Sequence, residues 1–300
     1  DYSFQSISLF FALVKNKNVI VPIISNVENE VISKLKAVKA DFLITFKNDK
    51  AWCKNQNTGV EKHKLIQKLQ KLGNSGLILF SSGSTGEPKA MLHDFDNLHS
   101  IYKDKKQKYI NTLIFLTFDH IGGIDTMLRI FSITGTITIP NTRQPEEICK
   151  IIEQYNVNVL PSSPTFLNLL LIGKFHNKYD LHSLEIISFG AEPMPDSLLK
   201  RLNKEFPHVA LQQKFGTSET NAIRVKSKAN NSLFMKFDDP NLDYKIVDNE
   251  LWLKSKTQVM GYLNSSMDSF TDDGWFKTGD LVEKTDDGYL KIIGRNKEVI

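Results

Sequence analysis

Short apolar runs of strand length alternate with helix-period segments through the first two thirds of this chain, and that alternation limits its fold to few options. Residues 19–23, 42–46, 77–80, 111–117, 136–140, 157–160, 184–189 and 210–215 read as strands. Between them, 31–38, 63–72, 97–102, 121–133, 145–155, 164–172 and 195–206 carry helical signals. Such alternation predicts mostly parallel sheets covered by helices. From residue 233 onward the helical signals stop. Strands at 244–247, 250–253 and 289–293 lie between turns such as Asp272-Asp273-Gly274 and Asp286-Asp287-Gly288. The predicted class is therefore α/β. Stacked, helix-covered, mostly parallel sheets form two αβ subdomains, 1–175 and 176–232, followed by a small antiparallel β subdomain, 233–296.

One predicted strand feeds the segment richest in chemistry. Leu77-Ile78-Leu79-Phe80 leads into Ser81-Ser82-Gly83-Ser84-Thr85-Gly86-Glu87-Pro88-Lys89. The glycines permit a tight turn and close backbone approach. Successive N–H groups in such a turn make an anion-binding concavity. Ser81, Ser82, Ser84 and Thr85 add hydroxyls, and Lys89 adds a positive charge. The segment predicts a cradle for a polyphosphate. It is not a Walker A loop, because counting from Gly83 puts Pro88 at the second glycine position. Nor is it a nucleophile elbow, because Ser82 stands where the first glycine belongs.

Three more segments follow in order: Phe215-Gly216-Thr217-Ser218-Glu219-Thr220, Gly274-Trp275-Phe276-Lys277-Thr278-Gly279-Asp280-Leu281, and Gly294-Arg295-Asn296-Lys297-Glu298-Val299-Ile300. With the Ser/Thr/Gly loop, this set resembles the adenylate-forming superfamily of acyl- and aryl-CoA synthetases, luciferase and peptide-synthetase adenylation domains. The resemblance implies that Ser81, Ser82, Gly83, Ser84, Thr85, Gly86 and Lys89 hold the ATP β- and γ-phosphates. Phe215 then lies against adenine, flanked by Gly216 and Thr217. The Ser218 hydroxyl meets the α-phosphate, and Glu219, with Ser84, binds Mg²⁺. Lys89, Ser218 and Glu219 become the catalytic candidates. Asp280 takes the ribose hydroxyls, Arg295 also reaches the ribose, and Lys297 is a hinge. Two looser matches add to this. Ser188-Phe189-Gly190-Ala191-Glu192-Pro193 resembles the strand end beside adenine, which assigns Gly190, Ala191 and Glu192 to the nucleotide. Phe118-Asp119-His120-Ile121-Gly122-Gly123 resembles the segment lining the acyl pocket, which assigns His120, Gly122 and Phe189 to the substrate. A wall of Ile121, Ile124, Phe189 and Ala222 would suit an apolar or aryl acid.

The implied activity is ATP-dependent conversion of a carboxylic acid to acyl-AMP, with release of pyrophosphate, then transfer to a thiol. Coenzyme A is the expected acceptor. A carrier-protein phosphopantetheine is the alternative, and a non-catalytic nucleotide-binding fragment is a further one. The sequence departs from the family pattern in places. Phe215 stands where tyrosine is usual, Ser218 replaces threonine, Ala90 follows Lys89 where glycine is common, and 249–255 lacks the usual glycines. In this reading 1–296 form the large AMP-binding domain and 297–300 the hinge. The family's small C-terminal domain, with its transition-state lysine, is absent from these residues. At most trace adenylation is therefore expected of the 300 residues alone.

Composition narrows the remaining classes. Hydrophobic residues make up 41% and charged residues 24%, the balance of a soluble globular protein. The net charge of +4 comes from scattered lysines, which argues against a nucleic-acid surface. The Lys103-Asp104-Lys105-Lys106-Gln107-Lys108 run reads as a solvated helix end. Cys53 and Cys149 have no metal or redox spacing and read as reduced thiols of a cytoplasmic protein. The apolar stretch at 7–14 is too short to span a bilayer, lacks signal-peptide features, and reads as a core helix.

Overall fold

The computed structural model describes residues 2–47, 50–56, 59–81 and 88–296. The chain divides into two compact units, each discontinuous in sequence. The first comprises Asp1–Ile101, Thr117–Ile124 and Thr257–Asp268, and the second the remainder.

In the first unit, four strands lie in the order Val19–Ile20, Gly76–Ser81, Lys89–Asp94, Gly261–Tyr262. The first pair is parallel and the other two are antiparallel. This sheet is thus mixed. Val19–Ile20 is shorter than predicted, since Pro22 has no N–H to give a ladder. Lys89–Asp94 escapes the sequence pattern entirely. Ala90, Met91, Leu92 and His93 are all buried, so both faces are covered and no two-residue alternation marks the strand. The helix Lys64–Lys71 packs Ile66 and Leu69 onto Ile78, Phe80 and Leu92. It sits so close that a Cβ on Gly76 would meet Leu69 Cδ2 at 2.6 Å. The helix Phe4–Lys15 begins with a reciprocal Ser3–Ser6 capping box and buries Phe10 edge-on against Phe95. A separate hairpin, Phe42–Lys47 with Lys50–Asn55, exposes Phe42, Phe46 and Trp52.

In the second unit, five strands are wholly parallel, in the order Ala210–Gln213, Ile186–Phe189, Val159–Ser162, Asn111–Leu113, Thr136–Thr138. This sheet takes strands from both sides of residue 175, where the sequence suggests a subdomain boundary. Helices Pro145–Tyr155, Pro164–Ile172 and Asp196–Glu205 cover it, with Ile148, Ile152, Leu167, Leu170, Leu199 and Leu202 packed on Leu160, Ile187 and Leu211. The caps are legible locally. Ser163 accepts from Phe166 N, and Asn156 closes Pro145–Tyr155 in a left-handed conformation. Burial pushes the Cys149 thiol up to about 12, so it stays protonated. Beyond the parallel sheet, six antiparallel strands run Val225–Ser227, Met235–Phe237, Leu290–Arg295, Phe276–Lys284, Glu250–Ser255, Leu242–Val247. Their core is Leu251, Leu253, Val282 and Leu290. Among the described residues, no helix is long and apolar enough to cross a membrane.

His93 is a costly core residue of the first unit. It is fully buried, and neither ring nitrogen has a hydrogen-bond partner. Burial lowers its pKa from 6.5 to about 4, so the ring is neutral at pH 7. The folded state therefore binds a proton less readily than the unfolded chain. Stability from this residue is complete above pH 6.5 and is lost as pH falls toward 4, by about 3 kcal/mol over the window. His93→Leu is expected to flatten this part of the profile. The check is the difference in urea midpoint between the native chain and the variant at pH 7 and pH 4.5. An identical pH slope in both would rule His93 out as its source.

Candidate functional site

In parallel sheets, ligands gather beyond the carboxyl ends of the strands. Two neighbouring strands of the second unit end in segments singled out by sequence. Ile186–Phe189 runs into Gly190-Ala191-Glu192, and Ala210–Gln213 runs into Lys214 and the Phe215–Thr217 strand. The two exits touch. Lys214 N donates to Phe189 O at 2.7 Å, and a Cβ on Gly190 would meet Lys214 O at 2.8 Å. Gly190 is thus fixed by packing. Ala191 follows at φ +66°, a conformation unusual for a residue with a Cβ. Glu192 turns to the helix Pro164–Ile172, where its carboxylate accepts from Thr165 N at 3.1 Å and Thr165 Oγ1 at 2.6 Å. Phe189 is 2% exposed and belongs to the core.

Phe215–Thr217 pairs antiparallel with Asn221–Ile223, so Ser218, Glu219 and Thr220 form the tip of a hairpin. Gly216 is required there, because an added Cβ would lie 2.4 Å from Asn221 O. Thr217 Oγ1 accepts from Thr220 N at 3.0 Å, which commits that hydroxyl to the turn. Ser218 and Glu219 are half-buried at the tip. Phe215 packs its ring 5.6 Å from that of Phe237 and is only partly covered. Among the described residues, no group of three or more His, Cys, Asp or Glu side chains gathers to hold a metal.

Asp280 and Arg295 face each other across the strands Phe276–Lys284 and Leu290–Arg295. Arg295 Nε donates to Asp280 Oδ1 at 2.9 Å. The Asp280 side chain is 7% exposed and that of Arg295 59%, so a buried carboxylate is held beside a guanidinium that reaches water. The turn before Asp280 is built to present it. Gly279 takes φ +74°, Thr278 Oγ1 accepts from Asp280 N at 3.0 Å and donates to Leu251 O at 2.6 Å. Glu250 completes the support. Its carboxylate accepts from Gly279 N at 2.9 Å and from Asn296 Nδ2 at 3.0 Å. Sequence reasoning gave Glu250 no role. Its signal is the Glu-Leu pair at 250–251, visible in the chain but mute until the strands are paired.

The remaining candidates belong to the first unit or lie outside the described residues. Ser82, Gly83, Ser84, Thr85, Gly86 and Lys297 are outside them. Ser81 and Lys89 are paired across an antiparallel ladder, so the Ser/Thr/Gly segment joins two strands of a hairpin. Lys89 Nζ lies 5.3 Å from the ring centroid of Tyr262. Asn264 clamps the hairpin stem, accepting from Ala90 N at 2.8 Å and donating to Pro88 O at 2.9 Å. No local pattern announces Tyr262 or Asn264, which reach Lys89 from far along the chain. His120 is largely exposed, with Nε2 3.8 Å from Asp119 Oδ1, while Asp119 Oδ2 accepts from Ile24 N at 3.3 Å. Gly122 is half-buried beside Gly123, whose added Cβ would strike Thr117 O at 2.0 Å.

Comparison with known proteins identifies the family. Residues 3–263 match the family described as AMP-binding enzyme. The chain is 28% identical to 4-coumarate–CoA ligase-like 9 of Arabidopsis thaliana over 74% of its length and 44% of that protein's. It is 25% identical to peroxisomal OPC-8:0-CoA ligase 1 of the same plant, over 76% and 47%. The chain spans about half the length of the curated relatives it matches. Among solved structures, wild-type E. coli MenE with a bound phenylether-linked analogue of OSB-AMS superposes with a TM-score of 0.71 at 18% identity, covering 99% of this chain and 65% of that one. The luciferase-like enzyme of the mealworm Zophobas morio gives 0.62 at 27% identity, over 76% and 59%.

Glu250→Ala removes the acceptor for two groups that shape the Thr278–Asp280 turn. Loss of a charged acceptor from partly buried donors is expected to lower stability by about 1–3 kcal/mol. Urea denaturation measures it. A midpoint equal to the native chain's would show that the turn holds without Glu250.

Proposed function

The chain belongs to the AMP-binding enzyme family, and we propose that it binds ATP and activates a carboxylic acid as acyl-AMP before the acyl group passes to the thiol of coenzyme A. The Asp280–Arg295 pair is the observation that supports this most. A buried carboxylate beside an outward guanidinium suits a vicinal diol, with the carboxylate accepting and the guanidinium donating. It stands in the same unit as the strand exits at Gly190 and Phe215. Relatives named as CoA ligases support the thiol acceptor.

The chemistry asks little proton transfer of the protein. The acid is already an anion at neutral pH, so its oxygen attacks the α-phosphorus without a general base. The bond from that phosphorus to the bridging oxygen breaks, and its electrons leave with pyrophosphate. Positioning and charge stabilisation then carry the rate. In this reading Phe215 offers its partly open ring to adenine, and Asp280 and Arg295 hold the ribose. Ser218 meets the α-phosphate, and Lys89 meets the departing phosphates. Mg²⁺ commonly uses one or two carboxylates plus phosphate oxygens, which fits Glu219 with Ser84; bound there, it would neutralise phosphate charge.

Calorimetry of the 300-residue chain with ATP and Mg²⁺ is expected to show binding. Absence of binding by a chain shown folded by circular dichroism would overturn the nucleotide reading. Asp280→Ala is expected to weaken AMP binding by about tenfold or more, while pyrophosphate binding stays unchanged. Equal loss of both would make Asp280 a structural residue.

A further inference from the structure

Lys89 closes the Ser/Thr/Gly segment, and residues that the nucleotide reading leaves without a task hold both its backbone and its side chain. The hold comes from the edge strand Gly261–Tyr262, which pairs antiparallel with Lys89–Asp94, Gly261 opposite Leu92 and Tyr262 opposite Met91. Backbone bonds extend the pairing, from Met260 N to Leu92 O at 2.8 Å and from Leu263 N to Ala90 O at 2.8 Å. Past Leu263 the Asn264 side chain takes over the ladder. Its Oδ1 accepts from Ala90 N at 2.8 Å, and its Nδ2 donates to Pro88 O at 2.9 Å. A side-chain amide offers an acceptor and a donor, as a peptide unit does. Here both are used, and the residue between the two bonded groups is Lys89. On the other side, Lys89 stands opposite Ser81 in the central ladder of the sheet. Its backbone is therefore fixed from both neighbouring strands.

The side chain is directed by the next rung. Residues opposite each other across a ladder share a face, and so do positions two apart on one strand. Tyr262, opposite Met91, therefore lies diagonally on the Lys89 face. Tyr262 is buried, and Lys89 Nζ stands 5.3 Å from its ring centroid. A buried ring is a fixed platform, and its π-face attracts an ammonium. Among the described residues, the ring meets this ammonium and no carboxylate pairs with it. The charge is thus held in place without being neutralised. A lysine gripping an anion ordinarily gives up much rotamer freedom, and one already held gives up less. An anion carries full opposite charge, so it can draw on the ammonium while the ring still guides the stem.

We propose that Asn264 and Tyr262 are positioning residues for Lys89, the amide fixing where its backbone stands and the ring where its ammonium rests, so that the polyphosphate end of ATP meets a charge already in place. The inference rests on the reading of Lys89 as a phosphate ligand, and the test separates the two. Calorimetry of the 300-residue chain with Mg²⁺ compares ATP with AMP. Lys89→Met is expected to weaken ATP binding and spare AMP. Unchanged ATP binding in that variant would overturn the phosphate reading of Lys89 and the inference with it. Tyr262→Leu and Asn264→Ala are each expected to weaken ATP binding by about fivefold or more, with AMP unchanged. Tyr262→Phe keeps the ring and should retain native ATP binding. In the Lys89→Met background, neither Tyr262→Leu nor Asn264→Ala should weaken ATP binding further, since the residue they position is gone. Further weakening of the same size there, or equal weakening of ATP and AMP by the single variants, would overturn the proposal and make both residues supports of the fold alone. Native ATP binding in Tyr262→Leu would also overturn it. Circular dichroism confirms folding, and if Asn264→Ala does not fold, Tyr262→Leu set against Tyr262→Phe decides the matter. Failure of the native chain to bind either nucleotide would overturn the nucleotide reading and the inference together.

Discussion

The strands Ile186–Phe189 and Ala210–Gln213 end at the same level because they are paired in parallel register, from Ile186 opposite Ala210 to Phe189 opposite Gln213. That one ladder brings two segments, adjacent in space but distant in sequence, to a common edge. Lys214 then bonds back to Phe189 O, and Gly190 accommodates the contact by having no side chain. The helices on the sheet are held by a core that includes Phe189 itself, so the edge rests on the most buried part of the unit. Any residue larger than glycine at 190 would push the Phe215 hairpin away from its neighbour.

The second support is electrostatic and depends on a different architecture. Asp280 is buried and charged, a costly state unless a partner is fixed nearby. Arg295 supplies the partner from the adjacent antiparallel strand. Glu250, from the strand on the other side, holds the turn that aims it. Three neighbouring strands thus cooperate to present one carboxylate, and the bond from Asn296 N to Gly279 O ties in the residue that follows Arg295. The first unit uses the same device with neutral groups, where the Asn264 amide grips both sides of the Lys89 position.

Burial explains where local patterns are silent. The strand Lys89–Asp94 is covered on both faces and therefore has no alternation. Its His93 is neutral and unpartnered, a polar residue that reads from sequence like a surface group. Glu192 gives a second case. It lies in a segment resembling a nucleotide site, and one of its carboxylate oxygens, Oε2, accepts from Thr165 N and Thr165 Oγ1 at the start of a helix, a partner that no local pattern announces.

Periodicity by itself determined the α/β class, the helices over the parallel sheet and the antiparallel end of the chain, because side-chain spacing follows backbone repeat. The motif strings determined the family, since their residues are demanded by chemistry and geometry at fixed local offsets: Gly216 by its hairpin, Gly279 by its positive φ, and Asp280 by the partner it needs. Tertiary structure decided the rest. It made the first unit's sheet mixed, paired Ser81 with Lys89 across an antiparallel ladder, and placed Glu250 behind the Thr278–Asp280 turn and Asn264 on the stem beside Lys89. Most of those outcomes depend on contacts between residues tens to hundreds of positions apart, and no local spacing carries that information.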